Sequence, residues 1–162
     1  RTGDRLPVGP SVVNPLDRAG CGWPQRARPH YTVRPTLRVI LGPQDDLFTA
    51  EGVATLLGAE YEVTSDYDRI GCRLAGSAIA HCGKTEIVSD GIVTGSIQVP
   101  RDGQPIVMMA DHQTTGGYPK IATVIRADLP LLAQCVPGDR VRFRAVTVSE
   151  AQAAWRQAMA IL

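Results

Sequence analysis

Short apolar runs broken by turn-forming residues recur along this chain, and the runs are too brief for long helices. Residues 36–41, TLRVIL, have strand composition and stop at Gly42-Pro43-Gln44-Asp45-Asp46. Thr49 then reads as a helix N-cap with Glu51 favourably placed in the first turn, predicting a helix over Ala50–Leu57 that stops at Gly58. Tyr61-Glu62-Val63 is a short strand. Ile70-Gly71-Cys72-Arg73-Leu74 is another, beyond a polar turn that carries Asp66, Asp68 and Arg69. Ser96–Val99 alternates polar and apolar, Pro100-Arg101-Asp102-Gly103 is a strong turn signal, and Ile106–Ala110 is an apolar run. Sequence-adjacent strands usually pair, so Ser96–Val99, Ile106–Ala110 and Ile121–Ile125 are expected to form a meander.

Further on, a short helix is expected in Ala127–Gln134, with Asp128 as N-cap and Pro130 in the first turn. Val141 to Val146 alternates, pointing Val141, Phe143 and Ala145 at the core. A last helix starts at Ser149-Glu150, where Ala151, Ala154, Trp155, Ala158 and Leu162 fall on one stripe at helical spacing. About eight to ten short strands with two or three short helices make a mainly β domain, most simply a closed or nearly closed barrel. Residues 1–35 are poor in pattern and rich in Pro, Gly and Arg. They read as a connector that Trp23 and Tyr31 pin by packing or, alternatively, as a flexible tail, ahead of a barrel domain over residues 36–148 and a C-terminal helix over residues 149–162.

Composition narrows the picture. With 162 residues the chain fits one domain, and 44% hydrophobic residues suffice for a core. Two Phe, four Tyr and two Trp leave Val, Ile, Leu and Ala to fill it. The net charge is +1 with no basic stripe, which argues against nucleic acid as a partner. No apolar run approaches the ~20 residues needed to cross a bilayer, and the first residues lack the apolar segment of a signal peptide. Cys21, Cys72, Cys82 and Cys135 form no C-x-x-C pair, and His30, His81 and His112 complete no zinc pattern. Free thiols in a reducing cytoplasm are expected, with Cys72 and Cys135 buried and Cys82 exposed. No metal site is expected, since Asp66 and Asp68 lack a third carboxylate at EF-hand spacing.

The chemistry concentrates in Ile106–Lys120, IVMMADHQTTGGYPK. The apolar run ends abruptly in Asp111, His112, Gln113, Thr114 and Thr115. Gly116-Gly117 then frees the backbone, and Pro119 stiffens the exit through Tyr118 to Lys120. A strand end of this kind presents polar groups from a rigid scaffold. It also reads as an ordinary hairpin loop, in which Thr114 and Thr115 satisfy backbone groups and Asp111 pairs with Lys120 in a surface salt bridge of little energy.

The segments LRVILGPQDDLFT, YEVTSDYDRIGCRL, IVSDGIVTGSIQVPRDGQPIVMMADHQTTGGYPKIATVI and PGDRVRF resemble the biotin-dependent carboxyltransferase family. That family includes allophanate hydrolase subunit 2 and the KipA-like subunit of bacterial ATP-dependent 5-oxoprolinase. The resemblance covers about Thr36 to Val146, and Arg1–Gly9 looks like the last piece of the family's N-terminal half. The chain is therefore expected to be the C-terminal half of a longer polypeptide. The resemblance implies a cyclophilin-like β-barrel, without implying prolyl isomerase activity. It implies a KipI-like subunit and a LamB/YcsF-family subunit as partners, together opening 5-oxoproline to L-glutamate at the expense of ATP.

As candidate catalytic residues the resemblance offers Asp111 as a base or orienting group, Lys120 as oxyanion or phosphate stabiliser, and Tyr118 as proton donor or stacking surface. For holding the planar amide it offers Gln113, Thr114, Thr115, Gly116 and Gly117, with Gln98 and Arg69 in the same cavity. His112 receives no role. ATP has no recognisable G-x-x-x-x-G-K-S/T loop here and is expected on a partner. A second reading is a urea carboxylase component using carboxybiotin carried on another chain, and a third is a non-catalytic module that binds partner proteins.

Overall fold

The computed structural model describes residues 3–5, 7, 9, 10, 12–22 and 30–160. Trp23, expected to pin the connector, and Leu162, expected on the last helix's stripe, lie outside them. Nine strands are present among the described residues: β1 (Thr36–Leu41), β2 (Tyr61–Tyr67), β3 (Gly71–Ala75), β4 (Asp90–Gly91), β5 (Ser96–Gln98), β6 (Ile106–Met108), β7 (Thr115–Gly116), β8 (Lys120–Val124) and β9 (Arg140–Ala145). Three helices accompany them: α1 (Ala50–Gly58), α2 (Leu129–Leu132) and α3 (Val148–Met159). Seven strands close into a barrel in the order β1-β8-β5-β6-β3-β2-β9, and β4 and β7 form a separate two-stranded sheet. Closure comes from the parallel pairing of β1 with β9, with Leu37 opposite Phe143; the other barrel pairs are antiparallel. The expectation of a mainly β barrel with short helices holds.

Alternation along the strands fills the barrel. Leu37 and Val39, Tyr61 and Val63, Cys72 and Leu74, Val141 and Phe143 are all buried, each pair two residues apart on one face of its strand. Each large side chain so buried contributes about 1.5–3 kcal/mol. Tyr61 packs on Phe143 at 5.9 Å between ring centroids, and its hydroxyl donates to the Ser77 carbonyl at 3.2 Å. Ala145 departs from the expected pattern and is exposed, because β9 has passed the end of the core there and turns toward α3.

The meander is corrected in one pairing. β5 is the middle strand: Ile97 faces Val107 of β6 on one side and Ala122 of β8 on the other. β6 and β8 are not neighbours, because the outer edge of β6 is taken by β3 and that of β8 by β1. The long connection between them steps over β5, which a tight turn could not do.

Local signals at the helices fare unevenly. Thr49 caps α1 as expected, its hydroxyl accepting from Gly52 N at 2.9 Å. α3 starts earlier than expected, because Thr147 and Glu150 form a capping box: Glu150 N donates to the Thr147 hydroxyl at 3.2 Å and Thr147 N to the Glu150 carboxylate at 2.7 Å. α2 is only Leu129–Leu132, and Asp128 stands at its N-cap without capping it. The Asp128 carboxylate instead accepts from Arg38 N at 2.8 Å and Arg38 Nε at 2.9 Å, and is almost wholly buried. On α3, Ala151 is buried and Ala154, Trp155 and Ala158 are half-buried, with the Arg126 guanidinium 4.5 Å from the Trp155 ring centre.

The connector is held by backbone rather than by Tyr31, whose ring is exposed: Arg140 N donates to Val33 O and Arg142 N to Pro35 O. Of the two turn aspartates, Asp68 closes the turn by accepting from Ile70 N and Gly71 N, whereas Asp66 belongs to β2. All four cysteines are free thiols; Cys72 and Cys135 are buried, Cys21 and Cys82 exposed. Burial pushes the Cys72 thiol up to about 12 and that of Cys135 to about 11. Among the described residues no helix is long and apolar enough to cross a membrane.

Candidate functional site

The site grows from a one-residue irregularity in β8. Against β5, Ala122 pairs with Ile97 and Lys120 with Gln98, so Ile121 is left between them as a bulge. Two residues expected at one site, Gln98 and Lys120, thereby become direct cross-strand partners. Both are almost entirely buried, at 3% and 2% exposed. A buried ammonium requires an opposite charge and full hydrogen bonding. Lys120 Nζ finds both, donating to Asp90 Oδ2 at 2.7 Å and to Gly91 O at 2.9 Å. An ammonium has three protons, and these two bonds use two of them.

Asp90 is held in turn by the loop after β1. Gln44 Nε2 donates to Asp90 Oδ2 at 3.0 Å, while Gln44 Oε1 accepts from Lys120 N at 3.1 Å. Gln44 N also donates to Lys120 O at 3.1 Å, so this residue clasps the lysine's backbone on both sides. Hydrogen bonding by Lys120, then by the Gly91 backbone and Gln44, holds the Asp90 carboxyl below its usual value. The Asp111–Lys120 pair of the ordinary hairpin-loop reading is therefore corrected. Lys120 pairs with Asp90, and Asp111 with Arg69 through a fork of 2.8 Å from Nε and 3.1 Å from the guanidinium's second nitrogen. The reason is position: Lys120 sits within the sheet, whereas Asp111 continues the β3–β6 ladder outward, its N–H donating to Arg69 O at 2.7 Å.

The glycine loop is zipped onto the segment that carries Asp90. Asp90 pairs with Gly116 and Gly91 with Thr115 across β4 and β7, and Ile92 N donates to Thr114 O at 3.0 Å. Ile87 N donates to Gly117 O at 2.8 Å. Gly116 leaves room for two side-chain ends: a Cβ there would lie 2.6 Å from Ile92 Cδ1 and 2.7 Å from Gln98 Nε2, so both would have to shift. Gln113 Nε2 would be 3.6 Å from the same point, so the two amides converge over Gly116. Gln98 Nε2 also reaches Tyr118 O at 3.5 Å, and the Tyr118 ring is half out in solvent. Thr114 and Thr115 are exposed, engaged through their backbones. His112 Nδ1 faces Gln113 O at 2.6 Å; a carbonyl only accepts, so this nitrogen donates, and Nε2 lies 3.2 Å from the Thr94 hydroxyl. His81 is structural, its Nε2 on Val99 O at 3.0 Å and its ring 4.7 Å from that of Phe48.

The sequence-predicted residues thus fall into two groups. Lys120, Gln98, Gln113, Gly116, Gly117 and Tyr118 gather at the bulge, while Asp111 and Arg69 form a separate exposed fork. A cavity of about 470 Å³ near the fork is lined by Met109 and Ala110 with Trp155, and Asp111 does not line it. Sequence reasoning missed Asp90 and Gln44. The available signal was the polar turns GPQDD and SDG standing in the segments that carry the resemblance.

Comparison with known proteins extends this picture. The chain is 34% identical over 154 residues to the C subunit of Escherichia coli 5-oxoprolinase, covering 93% of this chain and 46% of that protein. It is 50% identical over 92 residues to the C subunit of Haemophilus influenzae 5-oxoprolinase, covering 57% of this chain and 30% of that protein. The chain thus spans less than half the length of these relatives. Among solved structures, the K. lactis urea amidolyase superposes with a TM-score of 0.77 at 20% identity, over 86% of this chain and 9% of that one, which shows a shared fold. A family model, the carboxyltransferase domain, subdomain A and B, matches residues 1–145, and the chain belongs to that family.

Proposed function

We propose that this chain is part of the KipA-like C subunit of an ATP-dependent 5-oxoprolinase, which opens the lactam of 5-oxoproline to L-glutamate in an assembly with KipI-like and LamB/YcsF-family subunits. The observation that carries the reading is the buried Lys120, fixed by Asp90 and Gln44, standing opposite Gln98 beside a glycine-floored loop. Similarity to the two named relatives supports it.

In this reading the third proton of the Lys120 ammonium meets the lactam oxygen as negative charge develops on it, in surroundings dry enough for the interaction to count. Gln98 and Gln113 offer amide donors and acceptors to a planar N–C=O group above Gly116, where the missing Cβ lets it approach. Tyr118 flanks this position as a stacking surface or proton donor. Thr114 and Thr115, exposed on the same loop, and Gly117 supply further polar contacts. Asp111, held with Arg69 in the separate exposed fork, serves as base or orients the lactam N–H in this reading only once an incoming subunit closes the fork and the bulge around the substrate. ATP has no phosphate-cradling loop among these residues, so its binding belongs to a partner and no step here runs through it. The isolated chain is inactive in this reading.

The test is ADP release with 5-oxoproline by the chain mixed with both partner subunits. Lys120→Met lowers turnover by roughly a hundredfold or more, in the range for removing an oxyanion donor. Asp111→Ala lowers it far more than it lowers thermal stability. Equal losses of activity and stability in both variants would reduce the site to scaffolding. Turnover of urea with carboxybiotin in place of 5-oxoproline would transfer the protein to carboxylase chemistry, and tight assembly with neither activity would make it a binding module.

A further inference from the structure

A cavity of about 440 Å³ opens between two segments not yet given a role, Lys84-Thr85-Glu86 and the turn residue Arg101. It is a shallow depression open to solvent rather than an enclosed pocket. Both walls are tied to the fold. Cys82 N donates to Leu47 O at 2.7 Å on one side, and Ile79 N to Gly103 O at 2.9 Å on the other. Both walls also lead to the glycine loop: Ile87, next to Glu86, bonds Gly117 O, and Val99, two residues before Arg101, donates to Pro119 O at 3.0 Å. Each segment is thus tied, through a neighbouring residue, to the loop that leads into Lys120.

Arg38, Arg69, Arg73, Lys120, Arg140 and Arg142 each face a carboxylate within 4 Å. Lys84 and Arg101 share the lack of an ion pair with Arg34, Arg126, Arg144 and Arg156 among the described residues, although Glu86 lines the same cavity. A pair of cations that leaves a neighbouring acid unpaired suits a ligand with both kinds of group. A carboxylate answers Lys84 and Arg101, an N–H answers Glu86, and the Thr85 hydroxyl serves either.

We propose that this cavity is an anion subsite that takes a small carboxylate bearing an N–H group, and that Arg101 and Lys84 determine specificity for it. Applied to the proposed lactam opening, on which this identification of the ligand rests, the subsite holds the carboxylate of 5-oxoproline while the ring amide lies toward Lys120.

Calorimetric titration of this chain with 5-oxoproline, 2-pyrrolidinone and inorganic phosphate is the direct test, because pyrrolidinone keeps the lactam and lacks the carboxylate. 5-Oxoproline binds, pyrrolidinone does not, and Arg101→Gln weakens binding by about tenfold, as expected for one charge-assisted contact. Both cations are exposed, so melting temperature stays unchanged in Arg101→Gln and Lys84→Gln. In the assembled complex Arg101→Gln raises KM for 5-oxoproline about tenfold with kcat within about twofold. Arg101-dependent binding of phosphate but not of 5-oxoproline would overturn the carboxylate assignment, as would equal binding of both lactams. A complex that turns over 5-oxoproline with a KM indifferent to Arg101 and Lys84 would overturn the subsite and leave the proposed reaction standing. Carboxylate binding lost in Arg101→Gln, in a complex without lactam turnover, would uphold the subsite and remove the reaction.

Discussion

Lys120 carries one charge through three separate stretches of chain. Its partner Asp90 is 30 residues away and its backbone clasp Gln44 is 76 residues away. The lysine is legible in the sequence as the end of a glycine loop. Its partner is not, because Asp111 stands much nearer and a carboxylate is a carboxylate until the fold decides which one faces the ammonium. Since the Asp90 carboxyl lies below its ordinary 3.8 in the fold, chiefly through its bond from Lys120, folding favours the ionised form. Its contribution to stability is complete above that value and is lost as pH falls through the lower folded value. Thermal melts of wild type and Asp90→Asn should therefore differ at neutral pH, with the variant lower, and converge as pH falls below 3.8. A constant gap across that window would mean that the pair contributes no proton-linked stability.

At the scale of elements, strand composition located β1 and alternation located β9, and the structure gives β1, β2, β3 and β9 a period-two burial, since alternation is a property of a strand and its core. Caps fared according to competition for the side chain. Thr49 donates its hydroxyl to Ala80 O at 3.5 Å, which leaves the oxygen free to accept and cap α1, whereas Asp128 is drawn from α2 by the Arg38 guanidinium and main-chain N–H. That contact ties β1 to the start of α2 across 90 residues of sequence. Asp128→Ala should cost roughly 2–4 kcal/mol in a urea titration, because it strands a half-buried cation and a backbone donor together. A loss near the ~1 kcal/mol of a helix cap would show that capping mattered after all. The β-bulge at Ile121 was not legible: nothing in the run IATVI distinguishes a bulged strand from a regular one.

For the whole molecule, closure of the barrel decides what solvent can reach. Native protein should expose two reactive thiols to a disulfide reagent near pH 8, Cys21 and Cys82. Cys72 and Cys135, inside and with thiols pushed up to about 12 and 11, should react only on unfolding. Reaction of all four in the native state would mean that the barrel opens readily. The sequence by itself determined where strands lie, that the domain is mainly β, and which loop gathers the polar groups, because alternation and turn chemistry act over a few neighbouring residues. Only the tertiary structure decided that β5 lies between β6 and β8, that Lys120 meets Asp90, and that Asp111 meets Arg69. Those choices depend on two strand edges and several like charges of nearly equal local merit, and they are separated only when every strand of a closed ring must find two neighbours.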